Sequence, residues 1–158
     1  DEHSVPDGTI RDISGTPMDF RVPRKIGARI DEDYDLLNWA GGYDHNYVLK
    51  QDMPAHEYDA DAEDADEFTT YLVGSLYSEK TGRKMEIYTE LPGLQMYTGN
   101  YLSESEIGKG GKPYSRRGGV AFETQYFPNA VNIPSFPQPF LPADADFMSR
   151  TVYKFSAE

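Results

Sequence analysis

The chain has no cysteine. That excludes a disulfide framework, a thiolate metal site and a cysteine nucleophile, and it fits a reducing compartment. Positive charge is also scarce, with 15 Lys and Arg against 27 Asp and Glu for a net charge of -12. A phosphate backbone would be repelled overall, so nucleic acid is not an expected partner. No apolar run approaches the roughly 18 residues that a spanning helix needs, and no signal-peptide pattern opens the chain. Nothing is therefore expected to span or anchor to a membrane, and a cytoplasmic protein is the expectation. Two ligand loops are missing as well. Lys112 is followed by Pro113 and position 106 is Glu, which breaks the phosphate-loop pattern. Between Glu57 and Glu67 seven of eleven residues are acidic, but the sixth position from Asp59 is Asp64 rather than Gly and the twelfth is Thr70 rather than Glu, so a calcium loop fails. That stretch reads as a solvated acidic loop.

What is present is strand-like. At 158 residues a single domain is expected, burying about 68 to 70% of the surface of its unfolded chain if it folds alone. The stretch from Gly119 to Pro128 is dominated by β-branched and aromatic residues, opened by Gly and closed by Pro. On a period of two, Ala121, Glu123, Gln125 and Phe127 share one face, which puts a carboxylate mid-strand among small, amide and aromatic neighbours. Phe68 to Tyr77 and Met85 to Thr89 flank the turn Lys80-Thr81-Gly82-Arg83 and are expected to pair as an antiparallel hairpin. Thr151 to Phe155 closes the chain as a strand. Ile26, Ile30, Tyr34 and Leu37 recur at a helical spacing, so a short helix is expected between Ile26 and Leu37. Asp19 and Arg21 lie two apart and read as a structural pair. Ser103 to Gly119 reads as a flexible basic crossover, and the four prolines between Pro128 and Pro139 make that segment irregular and extended. Short strands with frequent turns and little helical period indicate an all-β, antiparallel sandwich.

Two further segments set polar side chains in turn-rich or apolar surroundings. In Gly41-Gly42-Tyr43-Asp44-His45-Asn46-Tyr47, either Asp44 or Asn46 caps local backbone amides as an Asx-turn, or the segment has a ligand-binding role. In Pro92-Gly93-Leu94-Gln95-Met96-Tyr97-Thr98-Gly99-Asn100, an extended backbone would align Gln95, Tyr97 and Gly99, which is equally compatible with a simple edge strand. Together with Glu123-Thr124-Gln125-Tyr126-Phe127-Pro128 and Gly15-Thr16-Pro17-Met18-Asp19-Phe20-Arg21, these segments resemble the galactose mutarotase (aldose 1-epimerase) family in order and approximate spacing.

The resemblance carries several implications. The fold would be part of the large galactose mutarotase-like supersandwich, and residues 1–158 would be the carboxyl-terminal half of a longer enzyme, because Asp1 to Pro6 resembles a stretch near the middle of the family. The activity would be interconversion of the α- and β-anomers of a hexose such as galactose or glucose. Glu123 would be the general base, buried among apolar and amide groups that tune its pKa toward neutrality. Asp44 and Gln95 would hold sugar hydroxyls and Tyr97 would form a wall. Acid–base ring opening and reclosure requires no cofactor or metal. The family's acid is a histidine of the amino-terminal half, and none of His3, His45 and His56 is assigned to it, so the partners implied are a small-molecule sugar and that missing half. Two alternatives accompany this reading: a non-catalytic carbohydrate-binding protein, and a branch acting on a different or phosphorylated sugar, in which Lys109, Lys112, Arg116 and Arg117 would matter.

Overall fold

A computed structural model describes residues 1–50 and 69–157. The acidic stretch from Glu57 to Glu67 and His56 lie outside the described residues. Among the described residues, six strands form two antiparallel three-stranded sheets. The first is ordered β1 (Asp44–Val48), β4 (Gly93–Tyr97), β5 (Ala121–Gln125), and the second β2 (Tyr71–Ser78), β3 (Arg83–Thr89), β6 (Thr151–Ala157). The expected hairpin is present, with Ser78 paired to Arg83 across a turn in which Gly82 takes φ +67°. β6 runs antiparallel to β3, from Thr151 opposite Thr89 to Ala157 opposite Arg83.

The helical expectation is corrected in position and kind. Ile26–Ala28 forms only a 3-10 turn, and the one α-helix among the described residues, α1, covers Asp35–Ala40. The apolar spacing from Ile26 onward is used instead by an irregular segment that buries Ile30 and Leu37 together with Met18, Tyr43 and Met96. Tertiary burial, not helical periodicity, produced that spacing. The edge-strand reading of Gln95 is also overturned, because β4 is the central strand of its sheet. Gly99 does not continue it: the strand ends at Tyr97 and Gly99 turns the chain with φ +64°. The proline-rich segment is irregular, with a 3-10 turn at Ala130–Asn132 rather than continuous extension. The crossover before β5 is tied down at several points. Ile107 bridges Pro113, Tyr114 N–H donates to the Glu106 carbonyl at 2.9 Å, and Arg117 N–H donates to the Gly99 carbonyl at 2.9 Å.

The first sheet has two unlike faces. Alternation sends His45 and Tyr47, Leu94 and Met96, and Phe122 and Thr124 to one side. There they meet the segment from Ile13 to Leu37, with Tyr47 Oη donating to the Met18 carbonyl at 3.2 Å and Tyr43 Oη to the Pro17 carbonyl at 2.9 Å. Burial pushes the Tyr47 hydroxyl's pKa upward, so it stays protonated and able to donate. The same side also receives the second sheet. The Thr124 and Thr151 hydroxyls lie 2.6 Å apart, Thr151 and Thr89 3.3 Å apart, and Tyr153 Oη donates to the Phe122 carbonyl at 2.9 Å. With one face so packed, the opposite face is left to carry the site.

Candidate active site

The open face of the first sheet carries Asp44 and Asn46 on β1, Gln95 and Tyr97 on β4, and Glu123 and Gln125 on β5. Register puts Asn46, Gln95 and Glu123 side by side on one rung, and Asp44, Tyr97 and Ala121 on the next. Antiparallel partners directly opposite hold their Cβ atoms about 4.5–5.5 Å apart, so these side chains are neighbours by construction. Asp44, Gln95, Tyr97, Glu123 and Gln125 line a cavity of about 360 Å³ together with Tyr101 and Pro128. That volume lies in the lower range of small-ligand sites, which run from about 300 to 1,000 Å³.

Each wall is set by a local cause. Gln95 Nε2 donates to Asp44 Oδ1 at 2.7 Å, so the carboxylate is aimed across the sheet and not back at its own turn. This overturns the Asx-turn reading of Asp44. Gln95 Oε1 is buried and without a hydrogen-bond partner among the described residues, which leaves an acceptor for a donor from a ligand. Gln125 Nε2 reaches Asn46 Oδ1 at 3.4 Å. Gly93 makes room for that amide, since a Cβ there would lie 2.5 Å from Asn46 Oδ1 and 3.0 Å from Phe127. The Tyr97 hydroxyl accepts from the Tyr101 N–H at 3.1 Å, which fixes the ring as a side wall.

All four residues singled out from the sequence, Asp44, Gln95, Tyr97 and Glu123, meet at this one cavity. The burial expected for Glu123 is not found. Its residue is exposed, and its carboxylate has no hydrogen bond or ion pair among the described residues. The reason is positional: β5 is an edge strand, and Glu123 projects from the face that holds the cavity and not from the packed face. His45 is on the packed side, where burial lowers its pKa, and its Nδ1 accepts the Asp44 N–H at 3.0 Å. His3 is exposed at the start of the chain. The lining residues not foreseen as contacts are Tyr101, Gln125 and Pro128. Gln125 was already placed beside Glu123 by alternation, Tyr101 follows Asn100 in the Gln95 segment, and Pro128 was read only as the residue that closes the strand.

Chemically, the cavity combines two carboxylates, two amides and two phenols, with no described cluster of metal-ligating side chains. Such a set exchanges hydrogen bonds with a polyhydroxylated molecule and offers one unpaired carboxylate for proton transfer.

Comparison with known proteins identifies the family. A galactose mutarotase from Homo sapiens is 33% identical over 156 residues, covering 99% of this chain and 40% of its own length. An aldose 1-epimerase from Escherichia coli is 31% identical over 165 residues, covering 100% of this chain and 42% of its own. The crystal structure of a GalM/aldose epimerase homologue from C. elegans superposes with a TM-score of 0.74 at 27% identity, over 99% of this chain and 42% of that one. The chain thus spans about 40% of the length of the curated relatives it matches. Residues 1–154 match the aldose 1-epimerase family, to which this chain belongs.

Proposed function

We propose that this chain supplies the base-bearing, carboxyl-terminal half of an aldose 1-epimerase that interconverts the α- and β-anomers of a hexose such as galactose or glucose. The observation that carries the proposal is the convergence of Asp44, Gln95, Tyr97 and Glu123 on one sugar-sized cavity. Ring opening of a hemiacetal needs a base to remove the proton of the anomeric hydroxyl and an acid to protonate the ring oxygen. Glu123 is the base. It takes that proton as the bond between the anomeric carbon and the ring oxygen breaks, and returns it when the ring closes on the other face. Asp44 and Gln95 hold sugar hydroxyls, the first as acceptor and the second through its unpartnered Oε1. Tyr97 and Tyr101 bound the sugar laterally.

The acid comes from the remainder of a family-length protein. His3 and His45 stand away from the cavity. The same remainder covers the open face, giving Glu123 the desolvation that it lacks in this chain. The isolated chain is accordingly inactive, and the full-length protein, or this chain reassociated with its amino-terminal half, is active. Polarimetry on fresh α-galactose tests both statements. Glu123→Gln in the full-length enzyme is expected to lower kcat by about 10² to 10⁴, the usual worth of a positioned acid or base. A variant of full activity would remove Glu123 from the mechanism.

A second reading, sugar binding without catalysis, draws on the contrast between the preorganised Asp44–Gln95 pair and the unpaired Glu123. Bound hexose with no rate acceleration in the full-length protein would favour it. A phosphorylated substrate has less support, because Arg116 and Arg117 both donate to the Gly41 carbonyl.

A further inference from the structure

Asp44, Tyr97 and Ala121 form the last rung of both hydrogen-bond ladders in the first sheet. End rungs have a neighbour on one side only and open more readily than central ones. The sugar-facing Asp44 therefore sits on an end rung, at the exit of a bend built from Gly41 (φ +65°) and Gly42 (φ +144°). Just beyond the ladder the Thr98 N–H donates to the Tyr43 carbonyl at 3.0 Å, and the bend itself is held by groups further along the chain.

Resting on the proposed role of Asp44 in sugar binding, we infer that Arg117 is the positioning residue of this site, clasping the ends of all three strands that carry it. Its main-chain N–H donates to the carbonyl of Gly99, two residues beyond Tyr97. Its Nη2 donates at 2.9 Å to the carbonyl of Gly41, three residues before Asp44. Arg117 itself lies four residues before Ala121, where β5 begins. Its Nη1 is held by Asp31 at 2.9 Å, which orients the guanidinium from behind. Only arginine has a planar fork of donors able to serve a carboxylate and a carbonyl together. Arg117 also adopts φ +60°, a left-handed backbone that a side chain occupies only where its surroundings enforce it.

The neighbouring groups reinforce the same point of attachment. Arg116 Nη2 also donates to the Gly41 carbonyl at 2.9 Å, and its Nε donates to the Asn100 carbonyl at 3.2 Å. The Gly41 carbonyl follows the C-terminus of α1, where partial negative charge favours cations. Buried Asn100 donates through Nδ2 to the carbonyls of Ala40 at 3.0 Å and Tyr43 at 2.9 Å, threading the space that a Cβ at Gly42 would fill. Arg117 lines none of the sugar cavity, so its guanidinium reaches substrate only through the Gly41-to-Asp44 bend.

The test is a double-mutant cycle in the full-length enzyme, followed by polarimetry with galactose. Arg117→Met keeps the apolar stem and removes the donors. It is expected to raise KM about tenfold while kcat changes by less than about threefold, the split that marks lost substrate binding and intact proton transfer. In an Asp44→Asn background the same change is expected to add less than about twofold, since the two act as one unit. An unchanged KM for Arg117→Met, or full additivity with Asp44→Asn, overturns the inference. Should Arg117→Met fail to fold, Arg117→Lys and Asp31→Asn take its place in the cycle, with smaller KM increases expected and the same loss of additivity required. An Asp44→Asn enzyme with normal KM would instead overturn the reading of the site itself, which separates the two failures.

Discussion

The two sheets each carry a glutamate at mid-strand, Glu123 in the first and Glu86 in the second, and they meet opposite fates. Glu86 sits opposite Lys154 and makes an ion pair at 3.2 Å with Lys84, two residues back on the same face. Glu123 sits opposite Gln95 with Gln125 two residues on, and has no cation within ion-pair reach among the described residues. The Glu86 side chain is only 19% exposed, and a carboxylate held by a lysine has its charge met. One between amides retains its lone pairs for something else. The comparison teaches that the identity of the cross-strand and i±2 neighbours, more than the presence of a glutamate, separates a neutralised carboxylate from an available one.

The largest expected effect breaks the comparison outright. Glu123→Gln should remove most activity from the full-length enzyme with little change in melting temperature, while Glu86→Gln should leave activity intact; polarimetry beside a thermal melt reads both. Next, the second sheet should matter for stability where the first matters for chemistry. Ile87 is fully buried at the centre of β3, and Ile87→Ala should cost about 2–5 kcal/mol through lost burial and an unfilled cavity, read as a shifted urea midpoint. The hydroxyl contact between the sheets is smaller. Thr151→Val strands the Thr124 hydroxyl 2.6 Å away and should cost about 1 kcal/mol.

The smallest effect is a pH dependence that sharpens the difference between the two faces of the first sheet. Burial lowers the pKa of His45 below its ordinary value of 6.5. The unfolded chain thus binds the proton more readily, so the stability due to neutral His45 is present above about pH 6.5 and is lost as pH falls through the folded pKa. Protonation at Nδ1 would also remove the acceptor of the Asp44 N–H. His45→Gln, which does not titrate, should flatten the urea midpoint between pH 7 and 5. The carboxylates of Asp19 and Asp35, lowered by their arginine partners Arg21 and Arg11, contribute only at more acidic pH.

Much of this architecture was legible in the residues. Strand-formers between Gly119 and Pro128 and from Met85 to Thr89 announced strands, the Lys80–Arg83 turn announced the hairpin, and the motifs around Asp44, Gln95 and Glu123 marked the residues that meet at the cavity. The misses share a cause. The spacing from Ile26 to Leu37 resembled a helix because its residues fill one core from an irregular path, and the segment before β5 looked free because its arginines bond to carbonyls far away in sequence.

What the amino acids determine unaided is local: which side chains share a face, where glycine and proline turn the chain, and which family's motifs it carries. Tertiary structure alone decided that β4 runs between β1 and β5, that Glu123 lies open to solvent, and that Arg117 reaches back to Gly41. Strand periodicity is a property of consecutive residues, whereas strand order, cover and clasp depend on contacts between residues tens of positions apart, which no local pattern encodes.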